Sequence, residues 1–560
     1  MLASLAAVLL STAAARPAVQ VWVADESEKV QPSATAPSTV SARIRLAAAG
    51  GECSGAQIVV RSQAGLRGLT ASGGPVRRGD GARVPLDLFR VATIELTQPS
   101  GPEGSTGEWP DALVPVRDPI WNEARRAFPV DVAPGRAQAI FVEICAPRGA
   151  PGRYAGAVQL AWRERDAPVR ASVPVELRVR RFDLPATPEL ATAFGFSGYS
   201  AAKGHRKPPQ DNRELTRLYD TIALRRGITL FGGTQDAPAH KAEGDTVRIE
   251  WTDYDAEVAP FLDGTALPSG ARWTAVEMRE PARLTRAQRK SWRRAWVEHF
   301  RERGWLDRLF VYVHDEPRPE DFPRVEERAR ELREDAPEAR RLLTTAYSDR
   351  LPSIDLWVPL LNCLDPRAPS CPRAAPRSSY DKLWWYQSCM SHGCGPLRPR
   401  DREAFVGWPS YMVDAPATAA RVMGWLAFAN RISGELYFDV VHAYGEGDPW
   451  VSQWAFAGNG DGTLYYPGTP ARIGGAHDVP IESLRVVQVQ RSLQDHAYLT
   501  LCARLGDATL AEAEARAIGP SLRGWARDPR AYAAARERLA ARIESLSADR
   551  RAGTADLGAR

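Results

Sequence analysis

The sequence predicts a multidomain chain, all-β at its N-terminus and α/β beyond it: a β-sandwich, then a (β/α)8 TIM-like barrel and a C-terminal helical segment. Three observations predict this. The chain has 560 residues, too many for one hydrophobic core. Short alternating apolar runs separated by Gly- and Pro-rich turns fill the first third, the pattern of a sandwich. From about residue 190 the pattern changes to buried strands alternating with amphipathic helices, which implies a parallel sheet closed into a barrel, with a doubly wound sheet as the fallback.

In chain order, the first stretch, MLASLAAVLLSTAAARPAVQ, has an apolar run from Leu2 to Leu10 followed by small residues, although its n-region lacks positive charge. It reads as a signal peptide over 1–15, too short to span a bilayer, and predicts a secreted or periplasmic protein. Residues 17–184 form the predicted sandwich, with strands at Val19–Val23, Val40–Leu46, Gln57–Arg61, Leu86–Leu96, Gln138–Ile144, Gly156–Trp162 and Val173–Val179. Residues 182–188 read as a linker. The predicted barrel covers 190–505. Its strands are Ala191–Ser197, Gly227–Phe231, Leu309–Val313, Arg341–Tyr347, Ile354–Leu361, Lys382–Ser388 and Glu435–Val441. Its helices are Asn212–Arg225, Thr285–Arg303, Pro323–Asp335 and Pro416–Ala429. Segment 234–280 has no assigned structure. Residues 506–560 form a helical extension that ends in a frayed tail after Leu546.

A net charge of +5 is small for this length, and the arginines are scattered among acids, which argues against a nucleic-acid stripe. Of the seven cysteines, Cys363/Cys371 and Cys389/Cys394 do not match zinc spacing, so disulfides are the better reading behind an export signal. An odd count leaves one thiol over, and Cys502, on a predicted helix, is the candidate.

The chemistry gathers at Leu306–Pro317, LDRLFVYVHDEP. An apolar strand breaks abruptly into Asp315 and Glu316, and Pro317 stops it. In parallel sheets and barrels, ligands sit at the C-terminal ends of strands. The other predicted strand ends contribute Tyr347, Trp384, Trp385, Tyr386, Asp439, His442 and Tyr444, with Trp450 in a following loop. Carboxylates beside flat aromatics suit a sugar. Trp384 and Trp385 are neighbours on a strand and face opposite sides, so at most one of them points inward. Two adjacent carboxylates do not match the separation glycosidases place across a scissile bond. They do suit a substrate that brings its own nucleophile, a 2-acetamido group, with one carboxylate orienting that group and the other protonating the leaving oxygen.

The string Tyr312-Val313-His314-Asp315-Glu316-Pro317 resembles the catalytic strand of glycoside hydrolase family 123 and its uncharacterised relatives. Gly107–Pro115 (GEWPDALVP), Lys382–Cys389 (KLWWYQSC), Asp414-Ala415-Pro416 with Arg421 and Trp425, Gly434–Phe438, Gly460–Gly468, and Ser483-Leu484-Arg485 with Asp495 and Tyr498 are similar to other segments of that family. The resemblance covers roughly 17–505. It implies a sandwich followed by a (β/α)8 barrel, and a retaining, substrate-assisted β-N-acetylgalactosaminidase. On that template Asp315 orients the acetamido group, Glu316 is the general acid/base, and Tyr347 or Tyr386 bonds the acetamido oxygen. The chain departs from the family pattern at Asp439-Val440-Val441-His442, at Val487, Gln490 and His496, and in the Cys-rich loop 363–394.

The expectation is thus an exported glycoside hydrolase acting on a glycan or glycoconjugate, without metal or cofactor, nucleic acid or integral membrane span. Two alternatives stay open. One is a glycosidase on a non-acetamido glycan, using Glu316 with Asp439 or Asp349. The other is a non-catalytic carbohydrate-binding protein on the same fold.

Overall fold

The structure is a computed structural model that describes residues 19–39, 41–164, 167–210, 212–232, 237–365, 371, 375–380, 382–395 and 397–557. The expected signal peptide lies outside the described residues.

The N-terminal region is built of two facing sheets. One runs in the order Val19–Asp25, Cys53–Ser62, Ala137–Cys145, Asp87–Leu96, Gly107–Pro115, and is antiparallel throughout. The other runs Ile44–Gly50, Ala167–Asp183, Gly152–Glu164, Leu66–Gly73, Val130–Val132, with two further short strands at one edge. Alternate residues of each face the other sheet: Ile58, Val60, Ile140 and Val142 pack against Val158, Leu160, Val173 and Val175 in one buried cluster. Cys53 and Cys145 are register partners on adjacent strands and are joined by a disulfide.

Eight parallel strands form a nearly closed barrel. They are β1 (Ala191–Phe196), β2 (Leu230–Gly232), β3 (Val276–Glu277), β4 (Leu309–His314), β5 (Arg340–Leu343), β6 (Leu356–Trp357), β7 (Lys382–Tyr386) and β8 (Gly434–Tyr437). They neighbour one another in sequence order, with β8 pairing β1, and the ladder is open only between β2 and β3. At that seam the hydroxyls of Thr192, Thr229 and Thr274 and their three backbone N–H groups bond one another at 2.8–3.0 Å, in place of a ladder. Ala193, Phe310, Leu342, Leu356, Trp384, Tyr386 and Leu436 fill the interior.

The helical layer is less regular than a (β/α)8 pattern. Helices α1 (Gly198–Gly204) and α2 (Arg213–Arg225) follow β1, α3 (Trp251–Asp263) follows β2, α4 (Arg286–Glu302) follows β3, α5 (Phe322–Asp335) follows β4, and α6 (Thr418–Ala429) precedes β8. Between β5 and β7 the described residues form loops and 3-10 turns instead of helices. The segment 234–280, unassigned from sequence, holds a β-hairpin (Ala239–Glu250), α3 and the two-residue β3. So short a strand carries no readable alternation. Helix α7 (Leu484–Leu505) closes the barrel layer, and α8 (Ala508–Ile518) and α9 (Pro529–Leu557) follow. The tail expected after Leu546 continues α9 to Leu557.

Helix α7 is buried on all sides and carries charges, so each charge needs a partner. Arg485 forms an ion pair with Asp111 of the N-terminal sheet at 2.7 Å and donates to the carbonyls of Tyr411, Gly460 and Thr463. Arg491 bonds Glu26 and Glu143 from two N-terminal strand regions. Arg226, at the end of α2, bonds Glu143 and makes a two-pronged pair with Glu482. Asp495 receives Arg421 and the Trp425 indole. Glu52 receives the Tyr498 hydroxyl and Arg536 of α9. Burial alone would raise the Glu143 carboxyl; Arg226 and Arg491 overcome that and hold it at about 2. Asp111→Asn would leave Arg485 buried and half-met, and is expected to cost about 3–5 kcal/mol in denaturant unfolding. A change below about 1 kcal/mol would show that the pair is dispensable.

Glu435 lies on β8 with its side chain in the barrel wall, 3 % exposed, accepting the Tyr411 hydroxyl. Burial raises its carboxyl from 4.5 to about 8. The unfolded chain loses this proton first, so stability falls as pH rises from about 4.5 to 8. Glu435→Gln keeps an acceptor for Tyr411 and removes the titration. Its melting temperature is expected to exceed wild type at pH 8, with the gap closing toward pH 4. A gap independent of pH would contradict the assignment.

Candidate active site

The apolar run of β4 places Phe310 and Tyr312 in the barrel and Val311 and Val313 outward, by the alternation of a strand. The register with β5 shifts between Tyr312 and His314. Two residues later Glu316 takes a left-handed backbone, with φ at 42°. For a non-glycine residue this conformation costs on the order of 1–3 kcal/mol and is kept only where the surroundings hold it. Here the Glu316 N–H donates to the Thr344 hydroxyl at 2.8 Å.

This turn decides the chemistry. In a continuing strand, Asp315 and Glu316 would point to opposite faces. With the strand broken, both carboxylates meet tyrosines that rise from the barrel interior. Tyr312 donates its hydroxyl to Asp315 Oδ1 at 2.8 Å, and Thr344 donates to the same oxygen at 3.0 Å. Tyr386, at the end of β7, donates to Glu316 Oε1. Burial, reinforced by the neighbouring carboxylates, raises both phenols well above the ordinary range, so they remain donors at any working pH. Among the described residues no hydrogen bond reaches Asp315 Oδ2 or Glu316 Oε2 (both residues are exposed), which leaves one oxygen of each free for a ligand.

The other expected site residues separate into those at the mouth and those in the core. Trp384 faces inward, 2 % exposed, its indole flat on the Gly434 backbone where a Cβ would fall 2.3 Å from the ring. It floors the barrel beneath the tyrosines. Trp385 points the other way and is fully buried against the helical layer, so it does not reach the cleft. Tyr347 packs on Trp357 and Tyr380, with ring centroids 5.1 and 5.6 Å away, and touches neither carboxylate in any described hydrogen bond. Tyr444 is buried in the core and accepts a hydrogen bond from Tyr219. Trp450 lies against Tyr466 in a cluster shared with the N-terminal sheets, its indole on the Pro467 carbonyl. Trp385 and Tyr444 are corrections to the sequence reading, being fully buried, while Tyr347 and Trp450 are half-buried: aromatic residues near a strand end are as often packing as lining, and only tertiary contacts separate the two. Asp439 and His442 stay at the mouth, beyond β8. Asp439 is half-buried, accepts the Val441 N–H at 2.6 Å, and has its carboxyl raised to about 7 by burial.

Sequence reasoning missed Tyr312 and Thr344 as site residues. Tyr312 was legible as the inward residue three before Asp315. Thr344, just past the end of the next strand, had no local signal.

Cys389, His392 and Cys394 are close enough together to hold a metal, but the two sulfurs are bonded to each other, which leaves a single imidazole. Cys363 and Cys371 are also joined, and Cys502 is free and buried. A cavity of about 1070 Å3 lies elsewhere, between the N-terminal sheets and α9. Arg180, Arg421 and Arg536 on its walls are already paired with acids, and its lining includes neither Asp315 nor Glu316. Among the described residues no helix is long and apolar enough to cross a membrane.

Residues 286–502 match the model of the glycoside hydrolase 123 catalytic domain. Among solved structures, the chain is similar to a family 123 glycoside hydrolase from Clostridium perfringens that hydrolyses glycolipid glycans. The TM-score is 0.63 at 12 % identity, covering 97 % of this chain and all of that one. At that identity the likeness concerns the fold. A β-glucuronidase from Parabacteroides merdae aligns over 74 % of this chain and 48 % of its own with a TM-score of 0.24, too low to carry an argument. No curated protein matches the sequence.

Thr344→Val keeps the shape of the side chain and removes the two bonds by which Thr344 holds the Asp315–Glu316 turn. The expected outcome is a folded protein with kcat lowered about 10–100-fold and KM little changed. Unchanged kcat on a turned-over glycoside would show that the turn holds itself.

Proposed function

We propose that this chain, whose residues 286–502 match the glycoside hydrolase 123 catalytic domain, is a glycoside hydrolase that releases a terminal 2-acetamido sugar by a retaining, substrate-assisted mechanism. The observation that carries this reading is the left-handed turn at Glu316, which turns two adjacent carboxylates toward one pair of interior tyrosines. So close a pair cannot flank a scissile bond as acid and separate nucleophile, and fits a substrate that carries its own nucleophile.

The steps follow from the free oxygens. Asp315 Oδ2 accepts the acetamido N–H and turns the amide carbonyl toward the anomeric carbon. That oxygen attacks, the glycosidic bond breaks, and Glu316 gives its proton to the departing oxygen. The positive charge of the oxazolinium lies beside the Asp315 carboxylate. Glu316, now a base, takes a proton from a water that opens the ring on the face the leaving group left. Two displacements give net retention. Tyr312 and Thr344 fix Asp315, and Tyr386 fixes Glu316, so neither needs to reorganise as charge moves.

A glycosidase using Asp439 as distant base is less well supported, because a carboxyl held at about 7 is largely protonated in the acid range where such a base must be ionised. The proposed division of the chain is a sandwich over 17–184, the catalytic unit over 190–505 and a helical extension beyond. Export to a secreted or periplasmic location is proposed from the N-terminal pattern and supported by the three disulfides.

Glu316→Gln is expected to lower kcat on an aryl 2-acetamido glycoside by about 10²–10⁴-fold. Asp315→Asn is expected to lower kcat and to abolish tight inhibition by a thiazoline that mimics the oxazolinium. Near wild-type turnover by Glu316→Gln, or wild-type enzyme indifferent to the thiazoline, would refute the mechanism.

A further inference from the structure

Beyond the end of β8, three rings form an exposed surface that the mechanism does not use. Phe438 and Phe456 are 37 % and 60 % exposed, unusual for phenylalanine. His442 stacks on Phe456 with centroids 4.9 Å apart and planes 27° from parallel, and Phe438 meets both edge-on at 5.1 and 5.3 Å. Burial lowers the basicity of His442, which keeps its ring neutral above the acid range.

The platform stands on the same rim as the carboxylates. Tyr386, which holds Glu316, is the register partner of Leu436 on β8, and Phe438 is two residues further toward the mouth. Gly195 of β1 lets the chain approach there: a Cβ would lie 1.9 Å from the Phe438 carbonyl oxygen. On the other side, Gly458 brings the Phe456 hairpin onto the loop that follows Tyr386, where a Cβ would lie 2.4 and 2.6 Å from the sulfurs of the Cys389–Cys394 bridge. The platform and the Tyr386 loop are therefore tied to one another.

The hairpin itself is strained. Trp454–Ala455 pairs with Gly458–Asn459, and the two residues between them, Phe456 and Ala457, have φ of 51° and 66°. A two-residue turn of this kind is normally made by Asn-Gly. A bulky ring in the left-handed region is disfavoured, and here it displays an aromatic face to solvent.

We infer that Phe438, His442 and Phe456 form an aglycone subsite, on which the sugar attached to the departing oxygen stacks its C–H face. This rests on the proposed reaction and adds its acceptor-side specificity: the enzyme prefers a carbohydrate leaving group to a small one. Asp439, next to Phe438 and half-buried, is placed to bond a hydroxyl of that sugar.

The test replaces the ring without disturbing the turn. Phe456→Asn suits a left-handed backbone and removes the stacking face, and Phe456→Ala removes the face alone. In the full chain, kcat/KM is measured on a β-linked disaccharide with a terminal 2-acetamido sugar, and on the glycosyl fluoride of that sugar, whose leaving group reaches no aglycone site. Both variants are expected to lose about 10-fold on the disaccharide, mostly in KM, and to stay within about twofold on the fluoride and in thiazoline inhibition. Equal losses on both substrates, or no loss on the disaccharide, would overturn the inference. Self-association of wild type that Phe456→Asn abolishes, with rates unchanged, would instead make the patch a docking surface and overturn it too. Failure of wild type to bind the thiazoline would refute the reaction, not the platform. The platform is then judged by glycan-array binding of wild type against Phe456→Asn: ring-dependent binding upholds it and ring-independent binding overturns it.

Discussion

A buried guanidinium must be met on every side, and helix α7 carries two of them. Arg485 and Arg491 are almost wholly inaccessible, as is Asp495 on the same helix. Their partners come from distant parts of the chain: Asp111, Glu26 and Glu143 from the N-terminal sheets, and Arg421 from α6. Removing such charges from water is costly, and the cost is offset only when the geometry is complete. One helix therefore fixes how the sheet region and the barrel meet. Gln490 belongs to the same network. Its side-chain carbonyl accepts from both Arg226 and Arg491, so a departure from the family pattern has a packing role here.

That framework explains why motifs that look functional lie far from the carboxylates. Asp111 in GEWPDALVP pairs with Arg485, and Asp414 in the Asp-Ala-Pro segment accepts the backbone N–H and hydroxyl of Ser100. Arg421, Trp425 and Asp495 converge on one another, and Tyr498 bonds Glu52. These residues hold the two parts of the chain together. The reacting groups need few partners of their own, because the strands that carry Tyr312 and Tyr386, and the one that ends just before Thr344, are already held in place.

Two of the strained turns lie where the barrel opens. Glu316 and Phe456 both occupy the left-handed region without being glycine. Both are braced by neighbours: Glu316 by Thr344, and the Phe456 hairpin by its ladder and the disulfide-bridged loop. In a rigid frame such turns redirect single side chains while the elements around them stay regular.

Much of the fold was legible as period and punctuation. Alternating runs marked the sheets, and the run LFVYV ending in Asp-Glu-Pro marked β4 and its acidic end, because a buried strand leaves no polar residue until it emerges. The third strand was not legible, being two residues long, and neither was the hairpin before it. At the site, the sequence determined by itself which carboxylates stand at the strand end and that they are adjacent. Only the tertiary structure decided that they face the same way, since that depends on one left-handed residue held by a threonine just past the end of the next strand. It also decided which aromatics belong to the barrel opening and which to the core: Tyr386 meets Glu316 and Phe438 is exposed beyond the last strand, while Trp385 and Tyr444 pack the interior. A residue's type says that it can stack on a sugar or fill a core. The contacts around it, which come from other parts of the chain, determine which of the two it does.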